Sequence, residues 1–352
     1  MTLHVGILGA GNISDTHARA AQEIPGVEVV AVCGTNAEKT SAIARRTGAV
    51  AYDDLAGFLD HRPMDIVAIG SPSGLHAEQA TAAVRRGLHV LVEKPVDITA
   101  ARVDALIAEA NSAQVQVGVF FQDRLRPDIV RIKKIVSEQR LGTPVLASGR
   151  VKWYRPPDYY AKSRWRGTWA LDGGGALMNQ GIHTVDLLLW LFGPVARVTA
   201  RTATRVHKIE VEDTAVALLE FENGALGTLE AATSIYPGYA RRLELTGSEG
   251  TLILEDDRLT SLALKNSSPD GPDGDAGAIP THSSSSPVVA DASAHRRVIE
   301  DFINAIRTGR PPACDAREGR KGVELVEAIY RSARTGGAVS LTCVVPGQKS
   351  HP

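Results

Sequence analysis

The spacing of apolar residues divides the chain into two parts. Up to about residue 120, short and almost continuous apolar runs such as LHVGILG, VEVVAVCG and HVLVEKP alternate with helix-length segments. Strands of this kind are typical of a parallel sheet that helices cover on both faces. Right-handed crossovers make such a sheet a doubly wound Rossmann fold. We therefore predict an α/β protein whose first domain spans residues 1–122, with helices over residues 12–23, 37–47, 74–86 and 99–112.

From about Val145 the apolar residues recur at every second position instead. Segments such as VARVTARTATR and DTAVALLEFENGALGTLEAATS are typical of half-buried antiparallel strands, and Asn223-Gly224 and Glu249-Gly250 stand where hairpin turns belong. We predict a second α/β domain over residues 123–345 with a large, mostly antiparallel open sheet. Residues 266–293, rich in Ser, Pro, Gly and Asp, predict a mobile surface loop.

Composition excludes several classes of protein. A chain of 352 residues suits two domains, and a net charge of −1 gives no electrostatic footprint for nucleic acid or an acidic membrane surface. The longest strongly apolar stretch, LLLWLF, is too short to span a bilayer, and no signal-peptide core precedes the first strand. The three cysteines lack CxxC spacing, so we expect neither disulfides nor a metal site. A cytoplasmic enzyme with no membrane or nucleic-acid partner is the expectation.

The stretch GAGNIS follows the first strand and opens the first helix. Gly9 permits the tight turn, and Gly11 lets the backbone approach a pyrophosphate on the helix N-terminus. In this strand–turn–helix setting we predict that the turn binds a dinucleotide through Gly9, Gly11, Asn12 and Ile13. A plain structural turn is the alternative.

The end of the second strand bears on the choice of dinucleotide. A carboxylate there would bind the 2′-hydroxyl of the adenosine ribose, but Gly34 stands at this point, and Thr35, Asn36 and Lys39 could meet a 2′-phosphate. This pattern favours NADP over NAD. The alternative is that the residues only form a turn and a helix cap.

The stretch VEKPV ends another strand of the predicted parallel sheet. Because the carboxyl ends of such strands face the ligand crevice, Glu93 and Lys94 would project towards a bound dinucleotide. A desolvated lysine has a lowered pKa and can exchange a proton with a substrate alcohol. We predict a catalytic Lys94; a merely solvated lysine is the alternative.

The stretch GGGALMNQGIHTVD places polar groups in an apolar, helix-like run. Asn179, His183 and Asp186 are spaced i, i+4 and i+7, so they would share one face of a helix. A core helix would fill that face with apolar residues, which makes these three candidates for a site.

Together GAGNIS, SPSGLH, VEKPV and GGGALMNQGIHTVD resemble the Gfo/Idh/MocA family of nicotinamide-dependent oxidoreductases, over nearly the whole chain. The resemblance implies a Rossmann domain and an α/β domain whose open sheet mediates oligomer contacts, here in a homodimer or homotetramer. It also implies hydride transfer between C4 of the nicotinamide of NAD(P) and a ring carbon of a sugar, sugar derivative or cyclitol.

The resemblance assigns roles to the polar residues. Lys94 falls on the lysine of the family's EKP motif, and His183 becomes the proton acceptor when a secondary alcohol is oxidised, with Lys94 polarising the same oxygen. Asn179 departs from the aspartate of much of the family; an amide can orient a substrate hydroxyl but cannot take its proton. Asp186 either orients the imidazole or bonds to backbone. Glycines 173–175 would let the helix start close to the substrate. For His183, the alternative is a buried histidine of the core with no catalytic role.

Other stretches would complete the pocket. SPSGLH is predicted to contact the ribose or nicotinamide. FFQDRLRP resembles the family's F-Q-N-R segment at the domain junction, but Asp123 stands where that segment has asparagine. The aromatic residues in WYRPPDYYAKSRWRGTW could stack on a sugar ring. Arginines at 155, 164 or 166 could bind a carboxylate or phosphate. The further cofactor contacts predicted here are Ser71, Pro72, His76, Glu93, Lys94, Gln122 and Arg166. The predicted substrate contacts are Lys94, Arg124, Trp153, Tyr154, Tyr160, Asn179 and His183. For the aromatic residues, a loop-to-core cluster is the alternative.

Two other functions are compatible with these motifs. One is a glycosidase that retains NAD and uses transient oxidation to permit elimination. The other is a non-catalytic protein that senses dinucleotide. An intact pair of Lys94 and His183 favours the dehydrogenase.

Overall fold

The computed structural model describes residues 2–265 and 292–341. Of the predicted loop at 266–293, only Ala292 and Ser293 lie within the described residues, and the predicted end of the second domain at 345 lies outside them. No helix in the described ranges is both long enough and apolar enough to cross a membrane.

The first sheet has six parallel strands in the order β3-β2-β1-β4-β5-β6. The strands are β1 (Leu3–Leu8), β2 (Val27–Cys33), β3 (Val50–Tyr52), β4 (Ile66–Ile69), β5 (His89–Val92) and β6 (Val117–Val119). This order confirms the predicted doubly wound sheet. The short edge strand β3 was not predicted, because three mostly exposed residues give no apolar pattern.

Helices join these strands, and all but α3 lie close to where the sequence predicts them. They are α1 (Asn12–Gln22), α2 (Ala37–Thr47), α3 (Leu55–Leu59), α4 (His76–Val84) and α5 (Ala100–Ala113). The predicted helix over 74–86 is shorter than expected, because a 3-10 turn over Ser73–Leu75 precedes α4. The side chain of Asn36 caps α2 and that of Thr99 caps α5, and each accepts a backbone N–H of the first turn.

The second sheet has eight strands in the order β13-β12-β11-β7-β10-β9-β8-β14. They are β7 (Pro144–Lys152), β8 (Val195–Ala203), β9 (Thr214–Phe221), β10 (Leu226–Ala232), β11 (Arg242–Gly247), β12 (Gly250–Glu255), β13 (Arg258–Leu264) and β14 (Val339–Ser340). Only β7 and β10 pair in parallel, so the predicted mostly antiparallel sheet is confirmed. The β9–β10 hairpin turns through Glu222-Asn223-Gly224-Ala225, whereas β11 and β12 are joined by Ser248-Glu249, one residue earlier than predicted.

Five further α-helices lie within the described residues. They are α6 (Pro127–Ser137), α7 (Pro157–Ala161), α8 (Ile182–Phe192), α9 (Ser293–Thr308) and α10 (Ala316–Thr335). Helix α9 packs against α1, and its buried Val298, Phe302 and Ile303 join the same apolar core as Val5 and Ile7 of β1. The first domain therefore takes a helix from the far end of the chain, which a single division at residue 122 does not describe.

The strand order reverses between β1 and β4, which lie side by side although they are not consecutive in sequence. Ligands of doubly wound proteins bind in the crevice at the carboxyl ends of the strands, at such a reversal. The carboxyl ends of β1, β4, β5 and β6 lead to the four stretches GAGN, GSPS, EKP and FFQD. Most of the predicted site residues of the first domain therefore follow strands of one sheet edge.

Candidate active site

The glycine turn after β1 leaves room beside the start of α1. Gly9 has φ +119°, and a Cβ there would lie 2.5 Å from Ser14 Oγ and 2.8 Å from the carbonyl oxygen of Gly70. A Cβ on Gly11 would meet no atom of the described residues within 4 Å, and no side chain caps the helix at this point. An open, uncapped helix N-terminus fits the phosphates of a dinucleotide.

The residues that follow β2 cap helix α2 and pack closely against the glycine turn after β1. Asn36 Oδ1 accepts the backbone N–H of Lys39 at 2.9 Å, as the helix-cap alternative expects. A Cβ on Gly34 would lie 2.7 Å from Ala10 Cβ, so a larger residue would collide with the glycine turn. Thr35 and Lys39 are exposed. Their side chains remain available to a ligand, whereas that of Asn36 is engaged.

The turn after β4 is tied to the turn after β5 by a buried histidine. His76 Nδ1 lies 2.7 Å from the carbonyl oxygen of Pro95, and Nε2 lies 2.9 Å from that of Ser71. Ser71 Oγ donates to Gln79 Oε1 at 2.6 Å, and Pro72 begins the 3-10 turn. The structure thus places the imidazole of His76 between two loops, where it holds them together.

Glu93 turns its carboxylate into the core of the first domain. Its Oε1 lies 2.9 Å from His17 Nε2 and 3.7 Å from His295 Nε2, and the His17 ring stacks on Phe120 at 4.1 Å. Burial would raise the pKa of Glu93, but the hydrogen bonds and charges of the two histidines lower it well below its usual range. Glu93 Oε2 accepts the backbone N–H of Lys94 at 3.2 Å, so the cluster anchors the EKP turn.

The three side chains of this cluster also offer ligand atoms within 4.8 Å of one another, a spacing that a metal ion could bridge. Nδ1 of His17 and Nδ1 of His295 have no hydrogen-bond partner in the described part of the chain. Histidines that bind metal usually donate their second ring nitrogen to a carboxylate or carbonyl. We therefore interpret the cluster as a hydrogen-bonded anchor of Glu93.

Lys94 reaches from the first domain to the second. Its Nζ donates to the main-chain carbonyl oxygen of Asn179 at 2.9 Å. Burial lowers the pKa of Lys94, while the charges of Glu93, Asp172 and Asp123 oppose that shift. A desolvated amine thus lies at the domain junction, next to the segment that carries His183.

The three glycines before that segment are required by close packing. A Cβ on Gly174 would lie 2.0 Å from Tyr330 Oη, and one on Gly175 would lie 2.1 Å from the carbonyl oxygen of Glu212. Glu212 is buried and accepts the backbone N–H groups of Gly175 and Leu177 and the hydroxyl of Tyr330. The structure accounts for Gly174 and Gly175 by this packing within the second domain, and for Gly173 by its contact with Ile98, where the sequence suggested an approach to substrate.

The polar residues that follow do not lie on one continuous α-helix. Residues Ala176–Gly181 form a π-helical turn, and the α-helix begins at Ile182. Asn179 Nδ2 donates to Asp172 Oδ1, and Asn179 Oδ1 accepts from Gln180 Nε2 at 2.7 Å. Both ends of the Asn179 amide are therefore engaged within the protein.

His183 faces a carboxylate that the sequence did not assign to it. Its Nδ1 lies 3.5 Å from Asp123 Oδ2, and its ring packs edge-on against Phe121 with centroids 5.6 Å apart. Burial is the main cause that lowers the pKa of His183 to about 3; the charges of Asp123 and Glu93 oppose this shift, and those of Lys94 and Arg241 add to it. The imidazole of His183 is therefore neutral at physiological pH. The carboxylates of Glu93 and Asp123 act on both His183 and Lys94.

Two arginines fix the carboxylates around His183. Arg241 Nη1 donates to Asp123 Oδ2 at 2.8 Å. Burial would raise the pKa of Asp123, but Arg241 and its other cationic neighbours lower it. Asp186 instead binds Arg124 through two hydrogen bonds of 2.6 and 2.9 Å, both side chains being almost completely buried. Asp186 therefore holds Arg124, which was predicted to contact substrate, in a structural ion pair.

Three further residues predicted to bind cofactor or substrate are Gln122, Trp153 and Arg166. Gln122 Oε1 and Trp153 Nε1 are buried without a hydrogen-bond partner among the described residues. The Arg166 guanidinium lies over the rings of Tyr159 and Trp165, at 4.4 and 5.1 Å. Unpaired buried polar atoms are uncommon, and a ligand is one way to satisfy them.

The aromatic segment is partly engaged in packing. Tyr160 donates its hydroxyl to Thr233 Oγ1 at 3.0 Å and is 9% exposed. Tyr154 packs edge-on against Tyr236. For Tyr160 the structure matches the loop-to-core alternative, because the ring and the hydroxyl both contact the second domain.

Sequence reasoning missed three charged residues at the site: Asp123, Asp172 and Arg241. Asp123 was noted only as a departure from a motif, and Arg241 precedes a strand that gave no signal of chemistry. The contacts between Arg241 and Asp123 and between Asp123 and His183 join residues far apart in sequence. Such contacts cannot be read from local spacing.

The chain is similar to known oxidoreductases over almost all its length. A family model described as "Oxidoreductase family, NAD-binding Rossmann fold" matches residues 3–121, and one described as "GFO/IDH/MocA C-terminal domain" matches residues 129–253. The D-apiose dehydrogenase of Paraburkholderia graminis is 29% identical, with 95% of this chain and 88% of that protein covered. The D-xylose 1-dehydrogenase (NADP(+)) 2 of Haloferax volcanii is also 29% identical, with 96% and 99% covered.

The solved structures agree with this relationship. The WlbA dehydrogenase of Bordetella pertussis, in complex with NADH and UDP-GlcNAcA, superposes with a TM-score of 0.87 at 33% identity and covers 97% of this chain and 99% of that one. With both family models matched in order and the same two-domain fold, the chain is an oxidoreductase of the Gfo/Idh/MocA family.

Proposed function

We propose that this enzyme transfers a hydride between the nicotinamide of NAD(P) and a secondary alcohol or ketone of a sugar, sugar derivative or cyclitol. The observation that supports the proposal is the contact between Lys94 and the segment that carries His183. Lys94 Nζ binds the main chain at Asn179, and the charge of Lys94 acts on His183 four residues further on. An amine and an imidazole placed together are the groups that a carbinol oxygen needs in order to lose or gain a proton.

The first domain offers the cofactor site. The glycine turn with the N-terminus of α1 would hold the diphosphate, and the buried Oε1 of Gln122 is available to a donor. When bound, the nicotinamide accepts a hydride at C4 or returns it. In the alcohol-oxidising direction, the neutral imidazole of His183 takes the hydroxyl proton, Lys94 polarises the same oxygen, and Asp123 beside Nδ1 stabilises the imidazolium that forms.

We favour NADP as the dinucleotide. The end of β2 carries no carboxylate at Gly34, and Thr35 and Lys39 are exposed next to it. A hydroxyl and an ammonium group suit a 2′-phosphate better than a bare ribose. Relatives include both kinds: the Haloferax volcanii enzyme is named for NADP(+), and the Bordetella pertussis structure contains NADH.

We also propose that copies of the chain associate through the open face of the second sheet. On that face Leu146 of β7 lies beside Leu226 of β10, and Val216 and Leu218 follow on β9. Leu218 is 60% exposed and Leu226 58% exposed. Apolar side chains grouped on one sheet face are typical of an interface between subunits.

The test of the proposed activity is a panel of sugars, sugar acids and cyclitols incubated with NAD or NADP, with reduced nicotinamide followed by absorbance. We expect net reduction of the cofactor with at least one member of the panel, and a higher kcat/KM with NADP. Release of an aglycone without net cofactor turnover would indicate the NAD-retaining glycosidase. Tight cofactor binding with no turnover in either direction on any carbonyl or alcohol would contradict the proposal.

The roles of the two residues are tested by K94A and H183A. Each is expected to lower kcat by roughly a hundredfold or more, since general acid–base groups contribute on this scale, while the Kd for dinucleotide changes little. K133A is a matched control, because Lys133 Nζ also donates to a main-chain carbonyl oxygen, that of Trp190, at 2.6 Å. H4A is the control for H183A, because His4 Nδ1 also lies beside a carboxylate, Asp65 Oδ2, at 3.0 Å. Both controls should keep near-normal kcat.

A further inference from the structure

Asp172 is a buried carboxylate at the site to which the proposed proton transfer gives no role. It is 1% exposed and stands directly before the three glycines. Its Oδ2 accepts the backbone N–H of Gly167 at 2.8 Å, and its Oδ1 accepts the side-chain amide of Asn179. The carboxylate thus joins the loop before the glycine turn to the π-helical turn after it.

The contact between Asp172 and Asn179 explains why residue 179 is an amide. A carboxylate such as that of Asp172 only accepts hydrogen bonds, so its partner must donate. An aspartate at position 179, the residue that the helix motif was expected to hold, would put two carboxylates in contact, and one of them would have to be protonated. The site therefore holds one carboxylate and one amide, with the carboxylate on the loop and the amide on the helix.

The charge of Asp172 acts on Lys94. Burial raises the pKa of Asp172 to about 6, although its hydrogen bonds and the charges of Lys94 and Arg166 oppose the shift. The carboxylate is therefore ionised above neutral pH. Its charge in turn raises the pKa of Lys94, whose other charged neighbours are Glu93, Asp123 and Arg155.

Resting on the proposed function of Lys94, we propose that Asp172 is a positioning residue of this active site, which supplies from the loop the carboxylate that Asn179 replaces on the helix. It does so in two ways. It holds Asn179, whose main-chain oxygen accepts the hydrogen bond from Lys94 Nζ. It also keeps a negative charge near that amine, so that Lys94 stays protonated as an ammonium group that can polarise the substrate oxygen.

The first test is D172N, assayed for kcat and for the pH profile of kcat/KM with whichever substrate the panel identifies. Loss of the charge lowers the pKa of Lys94, so the alkaline limb of the profile is expected to move to lower pH. The kcat at pH 7.5 is expected to fall roughly tenfold or more. The matched control is D213N. Asp213 is also a fully buried carboxylate that accepts backbone N–H groups, those of Arg205, Val206 and His207. D213N should lower stability without moving the limb.

The second test exchanges the two groups. The variant D172N/N179D keeps one amide and one carboxylate in contact, so the buried charge and the hydrogen bond between the positions are conserved. It is expected to recover at least a third of wild-type kcat and a wild-type alkaline limb. Because this variant keeps the contact between an amide and a carboxylate, it tests the role of Asp172 even if D172N alone does not fold.

The outcomes separate this inference from the function on which it rests. An unmoved alkaline limb in D172N, or a folded D172N/N179D with kcat lowered more than a hundredfold, would overturn the role of Asp172 while K94A and H183A still behave as expected. Near-normal turnover of K94A would instead remove the proposed function itself. Circular dichroism and the Kd for dinucleotide establish that each variant is folded and binds cofactor.

Discussion

The carboxylate that faces the imidazole of His183 is Asp123, from the first domain's side of the junction. Asp123 Oδ2 lies 3.5 Å from Nδ1, whereas Asp186, one turn beyond His183 on α8, binds Arg124. An imidazole that takes a proton gains from a carboxylate near its second nitrogen, because the negative charge stabilises the imidazolium. We therefore expect removal of the charge of Asp123 to affect kcat, and removal of the charge of Asp186 to affect stability.

We predict that D123N lowers kcat roughly tenfold or more, with the Kd for dinucleotide unchanged, because the imidazolium formed during oxidation loses its partner and Arg241 remains close to it. D186N is the comparison. It leaves the buried Arg124 without its bidentate partner, so it should lower Tm while the folded fraction keeps kcat within about threefold. Steady-state kinetics measure kcat, and thermal melts measure Tm, for both variants. A larger loss of kcat in D186N than in D123N would show that the wrong carboxylate has been assigned.

At the scale of residues, the sequence indicated candidate site residues that lie within motifs. It did not indicate the residues that contact them in the fold. Lys94 and His183 stand in stretches that resemble a family, and Lys94 Nζ contacts the segment that leads to His183. The partners of His183 and Asn179 could not be predicted, because Asp123 and Asp172 approach them through the fold. Glu93 was expected to face the dinucleotide but turns towards His17 and His295, since helix α9 returns to the first domain.

At the scale of elements, the two glycine-rich turns have different physical reasons. At Gly174 and Gly175 a side chain would collide with Tyr330 Oη and with the main chain of Glu212. At Gly11 a side chain would meet nothing within the described residues. Glycine is therefore required by the fold at the second turn, while at Gly11 the fold alone gives no reason for it.

We predict that G11A folds normally and binds dinucleotide poorly. Its φ of −85° suits alanine, so the free energy of unfolding should change by less than about 1 kcal/mol. The added methyl group would occupy space needed by a diphosphate, so the Kd for NADP should rise roughly tenfold, which is about 1.4 kcal/mol. Chemical denaturation and cofactor titration measure the two quantities. G337A is the control, since a Cβ there also meets nothing and Gly337 lies outside the site. An unchanged Kd in G11A would show that no diphosphate lies against this turn.

The elements that the sequence predicted well are those with a strong apolar period. Helix α2 was predicted with the bounds that it has, and the parallel strands were found except for the short β3. The helix of the GGG motif was not predicted well, because Ala176–Gly181 forms a π-helical turn. A period of 3.6 residues predicts one continuous α-helix through Asn179 and His183, whereas Asn179 lies in the π-helical turn and His183 in α8.

At the scale of the whole molecule, the second sheet has one face covered by helices and one that is open. Ala215, Ala217 and Leu219 of β9 are buried, whereas Val216 and Leu218 between them are exposed. The alternation expected of an antiparallel sheet holds, except that apolar residues also occupy the outer face. Subunit association would remove them from water.

We predict that L218K disrupts the oligomer without unfolding the subunit. A lysine at the centre of the open face would place a charge in an apolar interface. Sedimentation velocity should show the wild type as a dimer or tetramer and L218K shifted towards the monomer. V130K is the control, because Val130 is similarly exposed, at 49%, but lies on α6, away from that sheet face. A monomeric wild type would contradict the proposed association directly.

The two kinds of sheet were predictable from the change in apolar spacing near residue 145, and the location of α9 was not. Its amphipathic pattern predicts a helix but does not say which sheet it covers. Its buried residues join the core of β1 and β2. The first domain is thereby closed by residues that follow the second sheet in sequence, so the two domains cannot be separated by one cut.

The most direct test of the site is a double-mutant cycle on kcat with K94A, H183A and K94A/H183A. If the amine and the imidazole act on one oxygen, removing either one should disable the same step. The double variant should then be only slightly slower than the slower single variant. Independent effects that multiply in the double variant, or near-normal kcat in either single variant, would show that the two groups do not act together on the reacting alcohol.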